Sequence, residues 1–133
     1  MTTPRAVRNN NPLNIRRTAD QWEGMASIQV DPAFVRFISP EYGFRAAAKL
    51  IKNYQSIYHI NTITGLVARW APEHDDNPTD SYIEYVSQKV GVGPYDAIDF
   101  REYLVPILSA MARFESGQAW PREQIAAGVE LAA

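Results

Sequence analysis

The chain has 133 residues, of which 46% are hydrophobic and 21% charged, and its formal net charge is −2 at pH 7. These values predict one folded domain over residues 1–133 and exclude a disordered or fibrous protein. The absence of cysteine excludes disulfides and thiolate chemistry. The slightly acidic balance argues against nucleic acid as the main partner, because phosphate binding needs a basic surface.

Turn-forming residues dominate the start of the chain. The stretch RNNNPLNIRRTAD (8–20) combines asparagines, which tolerate left-handed backbone, with Pro12, which fixes its own φ. Between residues 22 and 39, the β-branched and aromatic runs SIQV and FVRFI flank an Asp-Pro pair. We therefore predict a turn-rich segment followed by a small β hairpin or extended pair.

Helical patterns begin at residues 39–41. Ser-Pro-Glu is typical of a helix start, and apolar residues at helical spacing carry this helix to about Ile57. Thr62 is placed to cap a second helix, which must end before Pro72. The stretch APEHDDNPTD (71–80) between the second and third helices predicts a polar loop.

The second half of the chain continues the helical pattern. A third helix is predicted over residues 79–90, and Asp99 is placed to cap the longest helix, with a kink at Pro106 and an end at Gly117. Pro121 opens a last short helix. The predicted fold class is mainly α (α+β), with four or five helices and one small β element near the front.

Motifs that carry chemistry are few. No glycine-rich phosphate loop, nucleophile elbow or zinc-ligand spacing occurs, so no cofactor and no resident metal are expected. His74 lies in an acidic stretch that fits a solvated loop better than a metal site. Four arginines before residue 18 fit a solvated basic arm better than a phosphate site. Carboxylate, amide and aromatic side chains remain, the combination that binds and cleaves sugars.

Several motifs follow one another along nearly the whole chain: RNNNPLNIR (8–16), WEG (22–24), FVRFISPEYGFRA (34–46), RWAP (69–72), DNPTDSY (76–82) and RFESG (113–117). Their combination resembles a family of small phage and prophage proteins, often labelled virion structural protein. This resemblance implies a non-catalytic virion structural or adaptor protein as one function. It also implies other phage virion proteins as partners.

A second resemblance is local. In lysozyme-like glucosaminidases and transglycosylases, a glutamate at a helix end precedes an NNPxNI-like segment and a hairpin. This chain is similar in both pieces but has them in reverse order, ESG at 115–117 and NNNPLNI at 9–15, as a circular permutation would produce. The resemblance implies a compact lysozyme-like domain that cleaves peptidoglycan glycan strands, with both pieces in one groove.

The same resemblance implies roles for individual residues. Glu115 would be the general acid; Glu41, at a helix start that capping already explains, is its rival, and Glu23 is a second carboxylate or a turn residue. Trp22 and Trp70 fit either of two roles, a platform on which a sugar ring stacks or an anchor of the apolar core. The residues expected to bind the sugar by amide hydrogen bonds or ring stacking are Asn9, Asn10, Asn11, Asn14, Trp22, Tyr42 and Tyr82.

Two expectations concern partners and place of action. The stretch MTTPRAVRNNN lacks the apolar segment of a signal peptide, and no run approaches the length that spans a membrane, so no membrane partner is expected. Synthesis in the host cytoplasm is expected, followed by incorporation in a virion or release to the periplasm by other factors. A small module acting on a host factor is a third possible function.

Overall fold

A computed structural model describes residues 3–133. This part of the chain forms six α-helices: α1 (Arg5–Arg8), α2 (Pro40–Tyr58), α3 (Ile63–Trp70), α4 (Thr79–Val90), α5 (Leu104–Ser116) and α6 (Arg122–Leu131). Short 3-10 turns lie at Glu73–Asp75 and Phe100–Glu102. The protein is mainly α, as the sequence predicts.

The segment before α2 is irregular after the four residues of α1. It does not show the hairpin predicted for residues 22–39. Within the described residues, β pairing is limited to isolated antiparallel bridges that join Arg16 to Phe34 and Met25 to Phe37.

Side chains bind several of the backbone groups that a longer hairpin would pair. The Gln29 amide donates to the carbonyls of Ala26 and Arg36 and accepts from the Arg36 N–H, each at 2.8 Å. The Asp31 carboxylate accepts the N–H groups two and three residues further along, at 2.8 and 3.0 Å. Such local side-chain bonds compete with a strand ladder. Two backbone hydrogen bonds still join the segment to itself, from the Ala26 N–H to the Arg36 carbonyl at 2.9 Å and from the Ile38 N–H to the Gly24 carbonyl at 2.8 Å. The segment is therefore a looped arm with a short antiparallel pairing and without two full strands.

The start of α5 differs from the sequence prediction, whereas its end before Gly117 agrees with it. Asp99 does not cap α5; its carboxylate accepts the Arg101 N–H at 3.1 Å and caps the 3-10 turn. Because α5 begins at Leu104, Pro106 lies in its first turn, where a missing N–H breaks no intrahelical bond. The predicted kink has no cause there. The longest helix is α2, with 19 residues against 13 for α5.

The helices pack around α2, which contacts α6 most extensively, while α4 lies between α3 and α5. One apolar core draws on five helices and the N-terminal arm. Its largest fully buried members are Leu13, Phe37, Phe44, Ile51, Ile63, Leu66, Tyr82, Phe100, Ile107, Leu108, Met111 and Ile125.

None of the helices in the described residues has both the length and the apolar character needed to cross a membrane.

Candidate active site

Three asparagines of the N-terminal turn are held by the protein itself. Asn9, only 4% exposed, donates to the Asp31 carboxylate at 3.1 Å, and Asn10 donates to the Phe37 carbonyl at 3.0 Å. Asn11 is fully buried and makes hydrogen bonds of 2.8–3.0 Å to backbone groups of the same segment. Their amides hold the turn together, and none of the three lines the cleft that Glu115 lines.

Asn14 is the member of the run that reaches the end of α5. Its φ of 53° is left-handed, a conformation that asparagine tolerates. Its Nδ2 lies 3.4 Å from the backbone carbonyl of Glu115, although 101 positions separate the two residues. Its Oδ1 is buried without a partner. The N-terminal turn and the ESG segment are thus neighbours in space.

Glu115 occupies the last turn of α5, just before Ser116 and Gly117. Gly117 has a φ of 77° and ends the helix. Burial raises the pKa of the half-buried Glu115 carboxyl, and contacts with Tyr82 and Asn14 offset part of this shift. The negative end of the helix dipole also disfavours the ionised form. Glu115 is therefore a carboxyl that holds its proton to higher pH than a solvated one.

Tyr82 is the buried neighbour of this carboxyl. Its ring is 1% exposed and stacks on Phe114, with 4.1 Å between ring centroids. Burial raises the pKa of the Tyr82 hydroxyl well above its usual range, and the nearby Glu115 carboxylate adds to the shift. The hydroxyl lies close enough to Glu115 to lower the pKa of that carboxyl, but it has no hydrogen-bond partner within the described residues.

Glu115 contributes to the lining of a cleft of about 390 Å³. This volume lies within the range of ligand sites, which is about 300–1,000 Å³. The cleft combines apolar and aromatic walls with polar groups. Its other lining residues are Asn14, Ile15, Arg16, Thr18, Asp20, Trp22, Phe34, Leu50, Tyr54, Trp70, Ala71, Pro72, Asp75 and Asn77.

The sequence has a relative among phage proteins. Over 116 residues it is 40% identical to protein P5 of Pseudoalteromonas phage PM2, and the match covers 85% of this chain and 71% of that protein. The chain belongs to the family of phage protein P5. No known family profile matches it. The kinship confirms the predicted relation to phage proteins.

The three candidate carboxylates of this P5-family protein have different surroundings. Glu115 alone among them lines the cleft. Glu23 is exposed, and its carboxylate lies 2.9 Å from Nε of Arg45. Glu41 lies in the first turn of α2, where a negative charge complements the helix dipole. The geometry thus favours Glu115 as the acid.

Of the residues expected to bind sugar, some line the cleft and others do not. Asn14 and Trp22 line the cleft. Tyr42 packs beside Gly24, and Tyr82 is a core residue whose ring faces are covered. In the P5-family structure neither tyrosine offers a free ring face to the cleft.

Several cleft residues have no signal in the sequence. Arg16 and Trp70 interact with the Glu115 carboxyl, and Tyr54 lines the wall. Tyr54 follows the apolar spacing of α2, and Trp70 that of α3, so helical periodicity assigns both to the core. Asp20 and Asp75 are cleft carboxylates that come from separate loops, and only folding brings them near Glu115.

The described residues contain no group of three or more histidine and acidic side chains suited to a metal ion. His74 is exposed, and its Nε2 lies 3.7 Å from Asp75. The groups that line the cleft include carboxyl, amide, guanidinium and aromatic side chains.

Proposed function

We propose that this P5-family protein is a phage-type peptidoglycan glycosidase with a lysozyme-like fold, in which Glu115 is the general acid. One observation carries the proposal. A half-buried carboxyl at the end of α5 lies in an aromatic-walled cleft beside the asparagine turn of the N-terminus. A permuted lysozyme-like domain would need the ESG segment (115–117) and the NNNPLNI segment (9–15) to be neighbours in space.

The acid role follows from the chemistry of glycosidic bonds. The leaving oxygen must receive a proton as the bond breaks, so the acid must be protonated near neutral pH. Burial acts in this direction at Glu115, because it raises the pKa of the carboxyl. Protonated Glu115 donates to the glycosidic oxygen of a sugar bound in the cleft.

Sugar binding is assigned to the walls of the cleft. Trp22, Tyr54 and Trp70 are amphipathic rings of the kind that pack against the apolar faces of pyranoses. The Oδ1 atom of Asn14 is a buried acceptor without a partner, an arrangement that is uncommon in proteins. A small shift that exposes this atom to the cleft would let an acetamido N–H or a hydroxyl of the sugar donate to it.

The second half of the reaction has two routes. A muramidase activates water with a second carboxylate, and Asp20 and Asp75 are the candidates because they line the same cleft. A lytic transglycosylase uses the sugar's own hydroxyl and needs no second carboxylate. The products distinguish them, since hydrolysis leaves a reducing end and transglycosylation an anhydro end.

A clearing assay with sedimentation tests the proposal. Purified peptidoglycan is incubated with the wild type, Glu115→Gln and the matched control Glu41→Gln. The wild type and Glu41→Gln are expected to reduce turbidity. Glu115→Gln is expected to sediment with the walls without clearing them.

Two other outcomes would replace the proposal. Sedimentation without clearing by every version would favour a non-catalytic virion structural or adaptor protein. Neither sedimentation nor clearing would favour a module that acts on a host factor.

A further inference from the structure

A second groove adjoins the Glu115 cleft. It is open, has a volume of about 890 Å³ and is lined by Tyr54, Ala68, Arg69, Pro72, Glu73 and His74. Tyr54 and Pro72 also line the Glu115 cleft, so the two depressions share a wall. The groove and the Glu115 cleft are therefore neighbours on the surface.

Arg69 is fixed on the surface of this groove. Its guanidinium carbon lies 3.7 Å from the ring centroid of Tyr58 and 5.0 Å from that of Tyr54. Cation–π stacking of this kind pre-organises a guanidinium while leaving its N–H edge open. Arg69 forms no ion pair with a carboxylate in the chain from residue 3 to 133. The groove therefore presents an oriented cation that is not ion-paired within the described residues.

We infer that the Arg69 groove binds a carboxylate of the peptide stem carried by the glycan strand, so that stem-bearing peptidoglycan is the preferred ligand. The inference rests on the proposed function. N-acetylated sugars with amide-linked stems offer no anion of their own, whereas the stems end in carboxylates. A guanidinium edge pairs with a carboxylate through two parallel hydrogen bonds.

Glu73 adds a second charge to the same groove. Its carboxylate repels a simple anion but pairs with an amine. Stem peptides carry free amino groups as well as carboxylates when they are not cross-linked. A groove with both Arg69 and Glu73 thus fits a zwitterionic peptide better than an inorganic anion.

The test compares two soluble ligands in a background that cannot turn them over. Glycan fragments that bear stems are titrated against Glu115→Gln by calorimetry. The comparison ligand is the same fragments after an amidase has removed the stems and the freed lactyl carboxylate has been converted to a neutral methylamide. Adding Arg69→Gln is expected to weaken binding of stem-bearing fragments about tenfold, the effect of losing one charge-assisted pair. Binding of stripped fragments is expected to stay unchanged, which also shows that the variant is folded.

Two further variants serve as controls, one for the loss of any surface arginine and one for the planar shape of the guanidinium. Arg122→Gln removes an exposed arginine from α6 and should affect neither ligand. Arg69→Lys keeps the charge but loses the planar edge, so an intermediate loss is expected. Equal weakening of both ligands, or no weakening by Arg69→Gln, would overturn the inference.

The two proposals fail in different ways. If stem preference depends on Arg69 but the wild type releases no products, the stem site stands and the catalytic role of Glu115 fails. If the wild type cleaves both ligands alike and Arg69→Gln changes nothing, the enzyme stands and the stem site fails. Absence of binding by both fragments overturns both.

Discussion

The environment of Glu115 favours its role as a proton donor but lowers the stability of the folded protein. A carboxyl that is half-buried and near a helix C-terminus is well suited to hold a proton, but its ionised form is poorly solvated. Residues placed for chemistry often cost the folded state stability in this way.

Replacing Glu115 by Gln is therefore expected to stabilise the protein at pH 7. The folded pKa is raised, so the contribution of Glu115 to stability is full below the unfolded pKa of about 4.3 and is lost as pH rises through the folded pKa. Because the Gln side chain cannot ionise, we expect Tm at pH 7 to rise by roughly a few °C. The difference from wild type should vanish near pH 4.

Thermal melts at pH 7 and pH 4 measure this effect. Glu130→Gln, at an exposed position of α6, is the control and should leave Tm nearly unchanged at both values. A lower Tm for Glu115→Gln at pH 7 would contradict the assigned environment of the carboxyl.

Tyr82 is expected to tune the same carboxyl. Its hydroxyl interacts with Glu115 and lowers the pKa of that group, so Tyr82→Phe should raise the pKa further. A carboxyl-carbon NMR titration of the two proteins measures the shift. Tyr85→Phe is the control, because Tyr85 also packs on Phe114 but its hydroxyl has no part in the pKa of Glu115. A downward shift in Tyr82→Phe would refute the contact.

The N-terminal arm is held by side chains, and Asp31 is its centre. Two bonds of 2.5 and 2.7 Å join its carboxylate to Arg5, and further bonds reach Asn9 and the backbone of Ala33 and Phe34. The pairing with Arg5 is the main reason that the pKa of Asp31 is well below its usual range. The arm thus depends on one ionised carboxylate.

Asp31→Asn is expected to destabilise the protein at pH 7 and to flatten its response to acid. A lowered folded pKa contributes stability above the unfolded pKa of about 3.9, and this stability is lost as pH falls toward the folded pKa. Urea unfolding at pH 7, 5 and 3 measures both effects. Asp76→Asn, on an exposed loop, is the control. Equal acid sensitivity of Asp31→Asn and wild type would contradict this account.

The crossing of α2 and α6 depends on Gly128. A Cβ there would lie 2.8 Å from the carbonyl oxygen of Glu41 and 3.0 Å from the backbone nitrogen of Arg45, and closer still to Phe44. Backbone atoms cannot yield cheaply, so Gly128→Ala should cost about 1–3 kcal/mol although alanine favours helices. Denaturant unfolding measures the loss. Ala126→Leu, on the exposed face of α6, should cost little, and a Gly128→Ala protein as stable as wild type would refute the tight crossing.

The elements that follow from sequence are those with local signals. The bounds of α3 and α4 are set by the Thr62 cap, Pro72 and Gly91, and the structure agrees with them. The predicted hairpin is reduced to isolated bridges, and β propensity cannot register that the Gln29 and Asp31 side chains bind backbone groups that longer strands would pair. Helix α1 has only four residues, too few for a periodic pattern.

The cleft is a property of the whole molecule. It joins the asparagine turn near the N-terminus, the end of α3 and the end of α5. The sequence suggested the meeting of Asn14 and Glu115 only through the resemblance to a permuted motif order. No periodicity or spacing predicts that Asp20, Trp70 and Asp75 join them, because these residues come from unrelated local patterns.

The general-acid role of Glu115 can be tested by the rate at which peptidoglycan releases glycan fragments. Mass spectrometry counts the fragments that carry new reducing or anhydro ends. We expect the wild type and Glu41→Gln to release them at similar rates, and Glu115→Gln to be slower by about 10²–10⁴-fold, the usual contribution of a general acid. Equal rates for Glu115→Gln and wild type, or no release by any of the three proteins, would contradict the account.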